Sequence, residues 1–343
     1  MKKLLLGVTL ILLLSIIAAC GNNDSSNANS ESANSEDDPI TFRIAGGSVG
    51  PDHSLTKTYN FLKEELEEKS DGRLQVELNV AGELGEDREI IEAMQMGQVH
   101  LAGPSPAALG GFDSSVVILD MPYLFTDRET AYEALDGEPG QMILDNLEEH
   151  GFKGLGYFEN GFRNLTNNVQ PVESIEDIQG LSLRTMENQT HIEAWKLLGA
   201  NPTPMALGEL YTALQQGTID GQENPYGLIY ANKFFEVQNY LTETKHVYAP
   251  NVMITNKDFY DELPSDLQEV ISDAIVAATE YNRELAQEEE IEAKEALIDE
   301  GMEIYEFSDE QLQEMQELTE PVYEMFKDEI GEDVVETFLN TRK

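Results

Sequence analysis

Apolar and polar residues alternate with period two in several short segments of the chain, a pattern typical of β-strands with one buried face. Other short segments are apolar throughout, as in strands that are buried on both faces. The segments that predict strands are 40–45 (ITFRIA), 74–80 (LQVELNV), 99–103 (VHLAG), 116–119 (VVIL) and 152–158 (FKGLGYF).

Helical periodicity separates these strand segments. Leu55, Tyr59, Leu62 and Leu66 recur at the spacing of one helical face. The helical segments predicted in this part of the chain include 55–66, 86–97 and 139–150. Strands that alternate with helices predict an α/β fold with mainly parallel pairing.

From Pro264 onwards the pattern becomes almost wholly helical, over 264–299 and 308–342. Ser308 and Gln311 have the spacing of a capping box, which predicts that a helix begins there. The region after residue 39 is too long for a typical single core and suits two domains.

The N-terminus has the composition of an export signal. Two lysines precede an apolar run that ends in small residues, so segment 1–19 is predicted to be a signal peptide. The run is too short for a comfortable membrane span. Cys20 follows it as in a bacterial lipobox, where the thiol is acylated; a plain signal peptide with an incidental cysteine is the alternative. Segment 20–39 is polar and acidic, which predicts a lipidated, disordered tether.

Charge and composition exclude several functions. The chain has 21 Lys and Arg against 66 Asp and Glu, a formal net charge of −45. Nucleic acid and anionic surfaces are therefore repelled, and the acid excess fits a solvated exterior suited to saline or alkaline surroundings. With a single Cys and five scattered His, the sequence has no metal-ligand spacing, thiol pair, nucleophile elbow or phosphate-binding glycine loop. We therefore expect no metal, no cofactor and no enzymatic activity.

Two arginines follow or end predicted strands in the middle of the chain. Arg184 lies in LSLRTMEN, where Leu181 and Leu183 point to the opposite face, and Arg163 follows the strand 152–158. Asn224 ends a short strand before Pro225. Because open α/β sheets bind ligands at the carboxyl ends of their strands, these side chains suit a carboxylate receptor. The planar guanidinium matches two carboxylate oxygens. Surface salt bridges for the arginines, and an ordinary turn for Asn224, are the alternatives.

The chain resembles the solute-binding proteins of TRAP transporters, which are secondary uptake systems for organic acids. The resemblance covers nearly the whole chain after the tether and is most specific in NGFRNLTN, LRTMEN, LGANPTPMALGELYTALQQGTIDGQENP and KFFEVQNYLTETKH. It implies a two-domain, periplasmic-binding-protein-like clam with hinge strands and a long C-terminal helix. The implied domains are 40–161 plus about 250–290, and 162–249 plus about 291–343 with long C-terminal helices.

The resemblance also implies the roles of the site residues. Arg184 would bind the ligand carboxylate with two hydrogen bonds, assisted by Arg163 and Asn224, while Asp87 matches a ligand-facing acid of sialic-acid-binding members. Weaker candidates for contacting the far end of the ligand are His53, Ser105, Asn160 and Tyr248. A helix start is the alternative for His53 and a core position for Tyr248.

The same comparison limits the substrate. Where sialic-acid-binding members carry Asn, Glu and Arg, this chain has Ala45, Ser105 and Ala108, which disfavours sialic acid. A four-carbon dicarboxylate or a sugar acid such as a hexuronate fits better.

The implied protein is an extracytoplasmic, lipid-anchored monomer that delivers the acid to the membrane subunits of a TRAP transporter. The alternatives are a lipoprotein that senses the same acid without transport and an extracellular enzyme on a carboxylated substrate.

Overall fold

The computed structural model describes residues 39–342. Within this range the chain forms eleven strands: β1 (Ile40–Ala45), β2 (Leu74–Asn79), β3 (Leu101–Ala102), β4 (Phe152–Phe162), β5 (Asn164–Asn167), β6 (Ser182–Thr185), β7 (Asn201–Pro204), β8 (Gly221–Asn224), β9 (Tyr240–Glu243), β10 (Tyr248–Asn256) and β11 (Glu303–Glu306). The signal peptide, Cys20 and all but the last residue of the predicted tether lie outside the described residues.

The same range forms thirteen α-helices: α1 (Ser54–Lys69), α2 (Asp87–Gln95), α3 (Pro106–Leu109), α4 (Arg128–Leu135), α5 (Glu138–Asn146), α6 (Gln189–Leu197), α7 (Leu207–Gln215), α8 (Tyr226–Ala231), α9 (Lys257–Glu262), α10 (Ser265–Asp299), α11 (Asp309–Thr319), α12 (Pro321–Ile330) and α13 (Glu332–Leu339). Four 3₁₀ helices complete the fold: Ser114–Asp120, Leu147–His150, Ile175–Ile178 and Phe234–Glu236. No helix between residues 39 and 342 combines the length and the apolar character needed to cross a membrane.

Two sheets organise these elements. The first has the order β2-β1-β3-β10-β4 and the second has the order β11-β9-β5-β8-β6-β7. The chain passes from the first sheet to the second at Arg163, between β4 and β5, and returns between β9 and β10. Helix α10 packs on α1, α8 and β4 and leads to β11 in the second sheet.

The pairing is mixed, so the prediction of mainly parallel sheets is wrong in part. Strand β1 pairs in parallel with β2 and β3, β6 does so with β7 and β8, and β9 does so with β11. However, β10 is antiparallel to β3 and β4, and β5 is antiparallel to β8 and β9. The antiparallel strands are those that pass between the sheets. Strands β4 and β5 carry the chain out of the first sheet, and strands β9 and β10 carry it back, so β10 runs antiparallel to β4 and β9 runs antiparallel to β5.

The predicted strand at 116–119 is also wrong, because Ser114–Asp120 is a 3₁₀ helix. Asp113 caps it, accepting a hydrogen bond from the Ser115 N–H at 2.8 Å. A short apolar run does not distinguish a buried strand from a buried helical turn. The capping aspartate was the local signal for the helix.

The helical C-terminal region is confirmed, with two additional breaks. Helix α10 is a single helix of 35 residues. Segment 308–342 divides into three helices, interrupted near Pro321 and Gly331. The capping box is present, since the Gln311 N–H donates to Ser308 Oγ at 3.3 Å and the Ser308 N–H donates to Gln311 Oε1 at 3.0 Å.

Candidate ligand-binding site

A cavity of about 460 Å³ lies between elements of the two sheets. Its walls come from the segments that follow β1, β3, β6 and β7 and from the end of β8, so the cavity lies at the carboxyl ends of these strands. Open α/β sheets bind their ligands at this edge.

Arg184 lies on β6 in the cavity wall with only 3% of its surface exposed. Its Nε donates to the carbonyl oxygen of Met205 at 2.8 Å, whereas its buried Nη1 has no hydrogen-bond partner among residues 39–342. Burial lowers the pKa of Arg184 to about 10, which leaves the guanidinium charged at neutral pH. The wall therefore presents a buried cation with an unused donor.

Arg163 is also buried, but it already has a carboxylate partner. Its Nε and Nη2 donate to the two carboxylate oxygens of Glu223 on β8. Nη2 also donates to Asn224 Oδ1 at 2.9 Å, and the Asn224 amide donates in turn to Gln222 Oε1. Asn224 therefore holds Arg163 in place, and both side chains line the cavity.

Glu223 is the centre of a buried polar cluster behind this wall. His246 Nε2 lies 3.0 Å from Glu223 Oε2, and His191 Nδ1 lies 3.9 Å from Oε1. Burial alone would raise the pKa of Glu223, but the charge of Arg163 and the hydrogen bond with His246 hold it well below its usual range. Burial lowers the pKa of His246. Glu223 is thus ionised and paired with Arg163.

Asp120 connects this cluster to the cavity. It lines the cavity, it accepts a hydrogen bond from Asn188 Nδ2 at 2.7 Å, and its Oδ1 lies 3.7 Å from His191 Nε2. Burial raises the pKa of Asp120, while the nearby His191 and Arg163 oppose that shift.

The opposite wall is formed by Asp87 and Ser105. Asp87 Oδ2 accepts from the Ser105 backbone N–H at 2.9 Å and from its hydroxyl at 2.8 Å. Burial raises the pKa of Asp87. A Cβ at Gly47 would lie 3.0 Å from Asp87 Oδ1, so the glycine in the turn after β1 leaves space for this carboxylate.

Two asparagines of the first sheet complete the cavity wall. Asn160 lies on β4 and Asn251 lies on β10, and both line the cavity. In each of them the side-chain oxygen is buried and has no hydrogen-bond partner within residues 39–342.

The chain matches the model of the bacterial extracellular solute-binding proteins, family 7, over residues 45–329. The chain belongs to this family.

Three relatives of this solute-binding protein illustrate the match. The sugar acid binding protein DctPAm of Advenella mimigardefordensis, solved with galactonate, is 35% identical, with a TM-score of 0.86 over 89% of this chain and 98% of its own. A TRAP solute-binding protein of Polaromonas sp. JS666, solved with D-erythronate, is 35% identical, with a TM-score of 0.84 over 88% and 99%. The C4-dicarboxylate-binding protein DctB of Bacillus subtilis is 33% identical over 81% of this chain and 80% of its own. The α/β fold with a long C-terminal helix that was predicted from the sequence is that of this family.

The cavity of this family 7 protein brings together most of the residues predicted to bind the ligand. The predicted residues that line it are Arg184, Arg163, Asn224, Asp87, Ser105 and Asn160. His53 lies outside the lining and caps α1, with Nδ1 accepting from the Leu55 N–H at 3.1 Å. Tyr248 is also outside it, packed edge-on against Phe162 at 5.3 Å between ring centroids.

Among the residues that sequence reasoning missed, Tyr59, Asp120 and Asn251 line the cavity, and Glu223 lies behind its wall. Tyr59 was assigned only to a helix core face, and Asp120 followed the segment misjudged as a strand. Glu223 stands next to Asn224, and the acid beside that amide was an available signal. Asn251 has no local signal, because its contact with Gly103 joins residues 148 positions apart.

Proposed function

We propose that this solute-binding protein captures a small organic acid by its carboxylate and delivers it to a TRAP-type transporter. The observation that carries the proposal is Arg184, a buried cation in the cavity wall with an unpartnered Nη1. A buried charge without a partner is costly, and a ligand carboxylate would remove that cost. Arg163 assists from the same wall, held by Glu223 and Asn224.

The cavity and the relatives support this ligand class. A volume of about 460 Å³ lies in the range of small-molecule sites. The relatives from Advenella and Polaromonas hold galactonate and D-erythronate, and the Bacillus relative is named for C4-dicarboxylates. All of these ligands carry a carboxylate that Arg184 could bind.

A thermal-shift screen of about a hundred organic acids tests the function. A ligand at 100 times its dissociation constant adds about 2.7 kcal/mol to the free energy of unfolding, a readily measured shift. We expect hits confined to acids with a free carboxylate. Neutral sugars that stabilise the protein as strongly as the matching acids would contradict the proposal.

Ligand binding should close two lobes built around the two sheets. The cavity wall takes Asp87 from one side and Arg184 from the other, so a bound acid would contact both lobes. Small-angle scattering should show a smaller radius of gyration when a ligand found in the screen is present at saturation. An unchanged radius would argue against closure.

The proposed location is the outer face of the cell membrane, with Cys20 acylated. Two acyl chains anchor a protein stably, whereas one anchors it only marginally. We expect a Cys20→Ala variant to be released into the medium or to remain an uncleaved precursor, as fractionation with immunoblotting would show. Mature Cys20→Ala protein in the membrane fraction would count against a lipid anchor at this residue.

A further inference from the structure

The ladder between β4 and β10 has a bulge beside the cavity. Glu159 pairs with Pro250 and Gly161 pairs with Ala249, so Asn160 lies between paired residues without a partner of its own. Bulges re-aim side chains and are common next to binding sites. The bulged residue here is a polar one that lines the cavity and whose Oδ1 has no partner within residues 39–342.

Asn251 lies on the other strand of the same ladder, one residue after the bulge. Its Nδ2 donates to the carbonyl oxygen of Gly103 at 2.6 Å. This bond fixes the amide, because the flipped orientation would place two oxygens against each other. Oδ1 is therefore the free atom, and it is a pure acceptor on a side chain that is 8% exposed.

Asp87 adds further acceptor atoms to the cavity wall. Its Oδ2 is occupied by Ser105, while Oδ1 lies beside Gly47 in the wall. A hydroxyl group can donate to an amide oxygen and to a carboxylate. A carboxylate can donate to neither.

We infer that Asn251, together with Asn160, binds hydroxyl groups of the captured acid, so that the ligand is a polyhydroxy monocarboxylate and not a dicarboxylate. The inference rests on the proposed function, because it assumes that Arg184 takes the single carboxylate. A buried acceptor left unpaired costs more than a hydrogen bond contributes when it is made. A ligand without hydroxyls at these positions makes no hydrogen bond there. It also leaves the two buried acceptors unpaired, which weakens its binding further.

Isothermal titration with four-carbon acids tests this assignment. D-Erythronate carries hydroxyls and one carboxylate, whereas succinate carries two carboxylates and no hydroxyl. We expect the wild-type protein to prefer erythronate, and Asn251→Ala to weaken erythronate binding about tenfold, equivalent to about 1.4 kcal/mol. Succinate binding should not weaken, because the variant removes an acceptor that succinate leaves unpaired.

Asn160→Ala is the second variant, and it separates recognition from folding. Asn251→Ala also loses the hydrogen bond to the Gly103 carbonyl. Asn160→Ala loses no such bond, because the Asn160 side chain makes no hydrogen bond to another residue within 39–342. We expect Asn160→Ala to keep the thermal midpoint of the ligand-free protein and still to weaken erythronate binding severalfold. D-Galactonate provides a longer hydroxylated acid for the same comparison.

Several results would overturn the inference. One is an equal loss of affinity for erythronate and for succinate in both variants. Another is tighter binding of succinate than of either hydroxy acid by the wild-type protein. A third is that no hydroxylated monocarboxylate binds in the screen. If instead Arg184→Ala leaves the binding of every acid unchanged, the proposed function itself fails, whatever the asparagine variants do.

Discussion

Arg184→Ala should abolish measurable acid binding without unfolding the protein. The expected loss is about 3–5 kcal/mol, the cost of removing one partner of a buried ion pair. The ligand-free protein should tolerate the change, because burial of Arg184 already disfavours its charged form and lowers its pKa to about 10. Isothermal titration with an acid identified in the screen measures the loss, and circular dichroism checks the fold.

Arg184→Lys distinguishes geometry from charge. An ammonium keeps the positive charge but cannot present two parallel N–H groups to one carboxylate. It would also lose the Nε bond to the Met205 carbonyl. We expect most of the affinity to be lost, and a lysine variant that binds like the wild type would show that the site needs charge alone.

Arg88→Ala is the matched control for both variants. Arg88 also lines the cavity, but its side chain is 72% exposed and pairs with Glu92 four residues away. Exposed pairs of this kind contribute about 0–1 kcal/mol. We expect less than about a fivefold change in affinity, which would confirm that burial of Arg184 makes the difference.

The parts of the fold that depend on local pattern could be predicted from the sequence. Helix α10 follows from its long uninterrupted helical composition, and the start of α11 follows from Ser308 and Gln311. The mixed pairing could not be predicted, because β10 pairs with β4, which lies about a hundred positions earlier in the chain. Local periodicity gives the direction of side chains within a strand but not the direction of its neighbour.

The residues of the site also divide into those that local sequence predicts and those that it does not. Arg184 and Arg163 could be predicted because each lies at a strand end, where α/β sheets bind ligands. Asp120 could not, because it comes into the cavity from the end of a 3₁₀ helix. From the sequence, Arg163 was expected to be a ligand contact, with a surface salt bridge as the alternative. The structure shows that its Nε and Nη2 are already bonded to Glu223.

Glu223→Gln should therefore destabilise the whole protein at neutral pH. The substitution leaves Arg163 buried without a counter-charge, and breaking a buried pair in this way costs about 3–5 kcal/mol. Arg163→Ala should cost a similar amount, because it leaves the Glu223 carboxylate unpaired. Urea unfolding of the ligand-free proteins at pH 7 measures both effects. A loss below about 1 kcal/mol in both variants, as for an exposed pair, would contradict this account.

The pH dependence of the Glu223→Gln effect separates charge from packing. The pKa of Glu223 is held well below its ordinary value, so its carboxylate stabilises the folded protein fully above that value. The stabilisation is lost as the pH falls from the ordinary glutamate pKa towards the lower pKa of the folded state. The difference in unfolding free energy between wild type and Glu223→Gln should therefore shrink progressively below about pH 4.5. Because glutamine cannot titrate, any pH dependence of this difference comes from Glu223 in the wild type. A difference that stays constant from pH 7 to pH 3 would therefore mean that the glutamine disturbs packing alone.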